Sequence, residues 1–213
     1  MDALASRTYA GSKWGGKYLR APDIFFTILE KGKLIRLTEV AELKAGVITG
    51  DNARFYQSWR SGQQVPEGWE PAFKSPRDVH TIELHTEHAR HLLKVKNTLF
   101  TIKRAPLLWP DLRGARHICH YNSDNLPFEH NFHGIIPSKK DTVEEFCGLL
   151  NTIIVALFLE VLTRTGLGGG AARLLVSDLK RLPVLSCKMK GQKPNLWYTP
   201  LYGRGTHLNS RAS

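Results

Sequence analysis

Residues 132–166 read FHGIIPSKKDTVEEFCGLLNTIIVALFLEVLTRTG, and both periods of a mixed fold lie within them. Phe132–Ile136 is a short strand-like run. Ten residues on, the pattern is helical. Thr142 with Glu145 makes a capping box and Gly166 supplies a stop, which predicts one helix over about 142–165. Phe146, Leu149, Leu150, Ile153, Ile154, Leu157, Phe158, Val161 and Leu162 cover most of its circumference, so it should be buried.

Working outward, strand-like runs recur at His80–His85, Thr98–Lys103 and His117–Asn122, with a Pro-rich crossing at Ala105–Gly114. A helix is expected from Pro22 to about Glu30, with Asp23 near its positive end and Gly32 just past it. Residues 34–56 suggest short strands broken by a turn at Thr49-Gly50-Asp51-Asn52. Residues 58–78 read as a long loop carrying Trp59, Trp69 and Phe73 among three prolines. Arg173–Val176 reads as a strand and Ser177–Lys180 as a helical turn ended by Pro183. The fold class is therefore α+β: short-stranded mixed or antiparallel sheets with long loops around one long buried helix. We expect a linker and leading helix over 1–33, a body over 34–187 and a basic tail over 188–213.

Charge points to a partner. The 213 residues hold 30 Lys and Arg against 19 Asp and Glu, a net +11. Nine basic residues and one acid fall between Val161 and Ser213, which places +8 of that surplus in the last quarter. Such a surplus suits a polyanion, because each neutralised phosphate releases counterions. Apolar residues make up 42%, enough for a core. Three distant cysteines (Cys119, Cys147, Cys187) form no disulfide framework. No secretory signal opens the sequence and no apolar run spans a bilayer, so a soluble cytoplasmic protein with no membrane partner is expected.

Several constellations imitate chemistry. Gly166–Ala171 matches a dinucleotide fingerprint in letters, but its order is helix, glycines, strand. Asp23 with Glu42 and Lys44 imitates a metal-dependent nuclease, which needs the Asp and the Glu-x-Lys on adjacent strands. His117, Cys119, His120, His130 and His133 resemble a zinc cluster, yet strand geometry sends several to opposite faces. There is no Ser/His/Asp or Cys/His hydrolase signature, no Walker loop and no Asn/Asp-Pro-Pro-aromatic tetrapeptide. We expect no enzyme activity, no metal and no cofactor in the chain by itself.

Leu37-Thr-Glu-Val-Ala-Glu-Leu-Lys-Ala-Gly-Val-Ile-Thr-Gly-Asp-Asn52 resembles the opening of the target-recognition domain of adenine-specific DNA methyltransferases, including fused type II restriction–modification enzymes. It is similar also to the recognition domains of type I specificity subunits. Leu150-Asn-Thr, the apolar helix, Gly166-Leu-Gly-Gly-Gly170, Leu174-Leu-Val and Asp178-Leu-Lys-Arg-Leu-Pro-Val184 resemble the end of that domain. Phe73–Val79 and His117–Ile136 fall where such enzymes carry variable loops, and the resemblance spans about Leu34 to Leu185.

The resemblance implies sequence-specific recognition of double-stranded DNA. The methyltransferase catalytic domain, with its S-adenosylmethionine, would be supplied by a separate domain or subunit. Phosphate contacts position a protein on DNA, and base-edge contacts specify. Forked or paired groups on loops are therefore the candidate readers, Asn52, Arg54, Arg77, Arg113, Arg116 and Asn131, with Thr49 and Lys74 as further candidate DNA contacts. Arg173, Lys180 and Arg181 are the candidate phosphate contacts. Two alternatives remain, the nuclease of Asp23, Glu42 and Lys44, and a noncatalytic assembly module docking through Trp59 and Trp69.

Overall fold

Asp23–Lys31 is helix α1 of the computed structural model, which describes residues 21–113, 117–139, 143–162, 164–165 and 172–186. Pro22 stands at its N-cap, where a missing N–H costs nothing. Gly32 closes it because a Cβ there would meet the Ile28 carbonyl oxygen at 2.5 Å. The chain continues through β1 (Leu34–Arg36), α2 (Leu37–Val40), β2 (Ala41–Ala45), α3 (Asn52–Phe55), β3 (Tyr56–Ser58) and β4 (Trp69–Ala72). A 3₁₀ turn at Pro76–Asp78 precedes β5 (Glu83–Leu84), and another at Thr86–His88 precedes β6 (His91–Lys94). Then follow β7 (Leu107–Pro110), β8 (Leu112–Arg113), β9 (His120–Asn122), β10 (Phe132–Pro137), α4 (Val143–Leu150) and α5 (Ile153–Leu162). The last elements are β11 (Arg164–Thr165), β12 (Ala172–Arg173), α6 (Val176–Arg181) and β13 (Pro183–Leu185).

The class is α+β. A five-stranded sheet runs in the order β2-β10-β7-β9-β5, antiparallel except for the β5–β9 pair. A three-stranded sheet, β3-β6-β4, carries the loops described below. Two smaller sheets, β1-β13 and β11-β12-β8, tie the end of the described chain back to its beginning and middle. The main core joins α1, α4 and α5 to the large sheet: Phe25 packs edge-on against Phe158, ring centroids 5.5 Å apart, and both are fully buried. Each such ring contributes roughly 1.5–3 kcal/mol of burial.

Several expectations change. The segment expected as a crossing over Ala105–Gly114 is none in its described part, up to Arg113, since β7 is an interior strand between β10 and β9. Leu107, Leu108 and Trp109 are all buried, the continuous apolar run of a strand covered on both faces. Trp69–Ala72, expected as loop, is strand β4 despite Pro71. It lies at a sheet edge, where a missing N–H is tolerated. Thr98–Lys103, expected as a strand, forms none, and His80–His85 contributes only Glu83–Leu84.

The single helix of about 142–165 is two helices, bent by 56° at Asn151-Thr152. Thr152 makes the break: its hydroxyl donates to the Leu149 carbonyl at 2.8 Å and accepts from the Val155 N–H at 3.4 Å. Asn151 makes it useful. Its Oδ1 accepts from the Cys119 N–H at 2.9 Å, and its Nδ2 donates to the Cys119 carbonyl at 2.8 Å. The amide thus stands where a neighbouring strand's peptide group would stand. No single helix among the described residues is long and apolar enough to cross a membrane. Thr142, the Gly166–Gly170 run, Arg116, Cys187 and the tail over 188–213 lie outside the described residues.

Candidate nucleic-acid interface

Pro127, Phe128 and Glu129 knit three loops together. Val47 bridges Glu129 and Phe73 bridges Phe128, both in parallel, while Arg104 bridges Pro127. The Val47 N–H donates to the Phe128 carbonyl at 2.8 Å and the Glu129 N–H to the Phe73 carbonyl at 2.9 Å. Gly46 permits the close approach: a Cβ there would meet the Glu129 carbonyl oxygen at 2.2 Å.

Glu129 itself is 1% exposed. Asn52 donates from Nδ2 to its Oε1 at 2.8 Å, and Asn131 donates from Nδ2 to its Oε2. His130 Nδ1 lies 3.4 Å from Oε1. Asn52 Oδ1 accepts from the Thr49 hydroxyl at 2.7 Å, and Asn131 Nδ2 donates also to the Lys74 carbonyl at 3.1 Å. One carboxylate therefore holds the turn at 49–52, the loop from Lys74 and the segment 127–131. A buried charge is tolerated only when donors saturate it. Thr49, Asn52 and Asn131 are brought together here, and Lys74 joins through its backbone.

The cations ride on this frame. Asp51 caps α3 by accepting from the Arg54 N–H at 3.1 Å, and the exposed Arg54 guanidinium lies 5.3 Å from the Phe55 ring centroid. Lys74 Nζ lies 5.3 Å from the Tyr56 centroid, a cation–π geometry. Arg77 is exposed in the 3₁₀ turn at Pro76–Asp78, where the Ser75 hydroxyl accepts its N–H at 3.2 Å.

Tyr56 is buried with a hydroxyl that finds no hydrogen-bond partner among the described residues. Burial and then the nearby Glu129 carboxylate push its phenol above the ordinary value. Burial likewise lowers His91, opposed by Asp78, whose Oδ2 lies 3.4 Å from Nδ1.

The remaining candidates lie elsewhere. Arg173 is exposed on β12 with Nη2 3.7 Å from Asp111 Oδ2, so part of its charge is already answered. It is still coupled to the frame: the Leu174 N–H donates to the Asp111 carbonyl, and the Asp111 N–H to that of Asn131. Lys180 and Arg181 are exposed in the last turn of α6, where the Thr38 hydroxyl donates to the Lys180 carbonyl at 3.4 Å. Arg113 ends β8 opposite Ala172.

The nuclease arrangement is absent. Asp23 sits in the first turn of α1, and Glu42 and Lys44 pair with each other at 3.8 Å on β2. The strand paired with β2 places Ile136 and Gly134 opposite them, not a second carboxylate. The histidines disperse too. His117 bonds the Leu150 carbonyl, His120 that of Thr81 and His133 that of Leu174, while the Cys119 thiol is buried beside Cys147. Among the described residues no group of three or more His, Cys, Asp or Glu could hold a metal. Burial lowers His120 to about 4, so it is neutral near pH 7.

Trp59, expected as a docking anchor, is 6% exposed, its indole N–H bonded to the Gln63 carbonyl. An apolar face lies between α1 and α5, where Ile24 and Ile153 are exposed. There Ile24, Ile28, Ile153, Ile154 and Leu157 line a cavity of about 590 Å³.

Fold and site together describe an α+β frame that holds cation-bearing loops on a buried carboxylate. No family model matches the chain, and no curated protein matches it. Among solved structures the chain is similar to the HsdS subunit from Thermoanaerobacter tengcongensis, at 12% identity and a TM-score of 0.44. That similarity takes in 71% of this chain and 32% of the subunit, so the chain spans about a third of it.

Proposed function

We propose that this chain recognises a sequence in duplex DNA, as the specificity part of a restriction–modification adenine methyltransferase. In this reading it performs no chemistry itself. The methyltransferase catalytic domain or subunit brings the S-adenosylmethionine, and the two work together in the cytoplasm. The observation that carries the reading is the set Arg54, Lys74 and Arg77, cations on loops fixed to one buried carboxylate. A planar guanidinium held still can take the O6 and N7 of guanine together, which a wandering side chain does poorly. The sequence blocks Leu37–Asn52 and Asp178–Val184 support the same reading, as does the +11 charge.

The test is selection from a random-sequence duplex pool by the 213-residue chain, followed by titration of the enriched duplex against a scrambled one. Enrichment of a defined site, bound at least about a hundredfold more tightly than the scramble, is the expected result. Equal affinity for both would overturn the reading.

A further inference from the structure

We infer that Glu129 is a positioning residue for DNA reading, and that Asn52 and Asn131 serve it rather than touch bases. The inference rests on the DNA-recognition reading above and names the device behind it. An asparagine reads adenine by presenting Oδ1 and Nδ2 together to the base edge. Asn52 has turned both inward, Nδ2 to Glu129 and Oδ1 to Thr49. Asn131 has committed Nδ2 to Glu129 and to the Lys74 carbonyl. Neither offers the pair to a ligand.

What these bonds fix is the neighbouring chain. Asn52 opens the four-residue helix whose third residue is Arg54. Lys74, held by its carbonyl, precedes the capped turn that carries Arg77. Glu129 cannot reach DNA itself at 1% exposure, and its backbone is pinned on both sides by Val47 and Phe73. It therefore acts through the side chains whose loops it sets.

Glu129→Gln tests this with almost no change of volume. Glutamine keeps one acceptor oxygen and turns an NH₂ toward an asparagine NH₂, so one of the two loops loses its anchor. On the site selected by the wild-type chain, the ratio of affinities for selected over scrambled duplex should fall about tenfold. Affinity for the scrambled duplex and the salt dependence should stay as in wild type, because phosphate contacts are untouched. An unchanged ratio overturns the inference, and so does an equal loss on both duplexes, the mark of a merely structural role. If Glu129→Gln fails to fold, Asn52→Ala, on an exposed turn, decides by the same two criteria. Should the wild-type chain select no site, the proposed function fails, and amide exchange over residues 49–55 still reads the positioning. In Glu129→Gln that exchange quickens about tenfold if Glu129 holds the turn and stays unchanged if it does not.

Discussion

At the helix break Asn151 offers its amide to both backbone groups of Cys119, while at the loop knot Asn52 and Asn131 offer theirs to the carboxylate of Glu129. The first joint is neutral and stitches a helix to the chain just before β9. The second is charged and ties exposed loops to the large sheet. In the first, losing the side chain strands the Cys119 N–H and leaves the Cys119 carbonyl only the weak Cys147 thiol donor at 3.5 Å. In the second, losing an exposed asparagine lets water reach the carboxylate. The joint that satisfies a backbone N–H should therefore govern stability, and the charged joint, whose Asn52 stands at the surface, should govern where loops point.

The largest effect that can break this contrast is at Asn151. Asn151→Ala orphans the Cys119 N–H, at roughly 2 kcal/mol, and takes one hydrogen bond each from the carbonyls of Cys119 and Cys147, at roughly 1 kcal/mol each, so urea unfolding should show a loss of about 4 kcal/mol. The ratio of selected to scrambled affinity should be unchanged in whatever fraction remains folded. A loss below about 1 kcal/mol would mean that water replaces the amide and the two joints are alike.

Next comes acid. His120 packs in the same sheet region with a folded value of about 4, below its ordinary 6.5, because burial disfavours the charged ring. As pH falls, the unfolded chain takes up that proton first. The stability is therefore complete above pH 6.5 and is lost between 6.5 and 4, by up to about 3 kcal/mol. Urea midpoints across that window should show the loss, and His120→Gln should remove most of it. At the knot, Gly46→Ala drives a Cβ into the Glu129 carbonyl, with an expected cost of about 2 kcal/mol. Unlike Asn151→Ala, it should also lower the selected-to-scrambled ratio.

The two joints were unequally legible in the sequence. The apolar period over 146–162 found buried side chains of both helices but wrongly buried Ile153, which is exposed, and it ran straight through Asn151-Thr152, since periodicity does not report whether the axis bends. A polar pair capable of capping, inside an otherwise apolar helix, was the available signal. The turn at Thr49–Asn52 was readable from local chemistry, and Gly50 does take φ +75° there. Glu129 gave no signal. Asn52 lies 77 residues away, and the histidines around Glu129 drew attention to metal binding instead. Leu107–Trp109 was lost for a different reason: the flanking prolines suggested a crossing, whereas three consecutive buried side chains belong to an interior strand. The cations were found because loops advertise forked donors, but which of them share a frame is a property of the tertiary contacts.

The smallest effect separates reading from mere attraction. Arg54 lies two residues beyond the anchored Asn52, whereas Lys180 lies in the last turn of α6, whose Lys180 carbonyl accepts from the Thr38 hydroxyl. If a fixed frame makes a reader, Arg54→Ala should cost about 1 kcal/mol on the selected duplex and almost nothing on the scramble. Thermal stability should not move, because the guanidinium is exposed and only stacks on Phe55. Lys180→Ala should weaken both duplexes equally and flatten the dependence of log affinity on log salt by about one, as a phosphate contact does. Arg54→Lys sharpens the comparison further: it keeps the charge and loses the fork, so the salt slope should persist while discrimination drops. If instead Arg54→Ala behaves like Lys180→Ala, the anchored turn adds charge and no reading, and the frame around Glu129 has only a structural purpose.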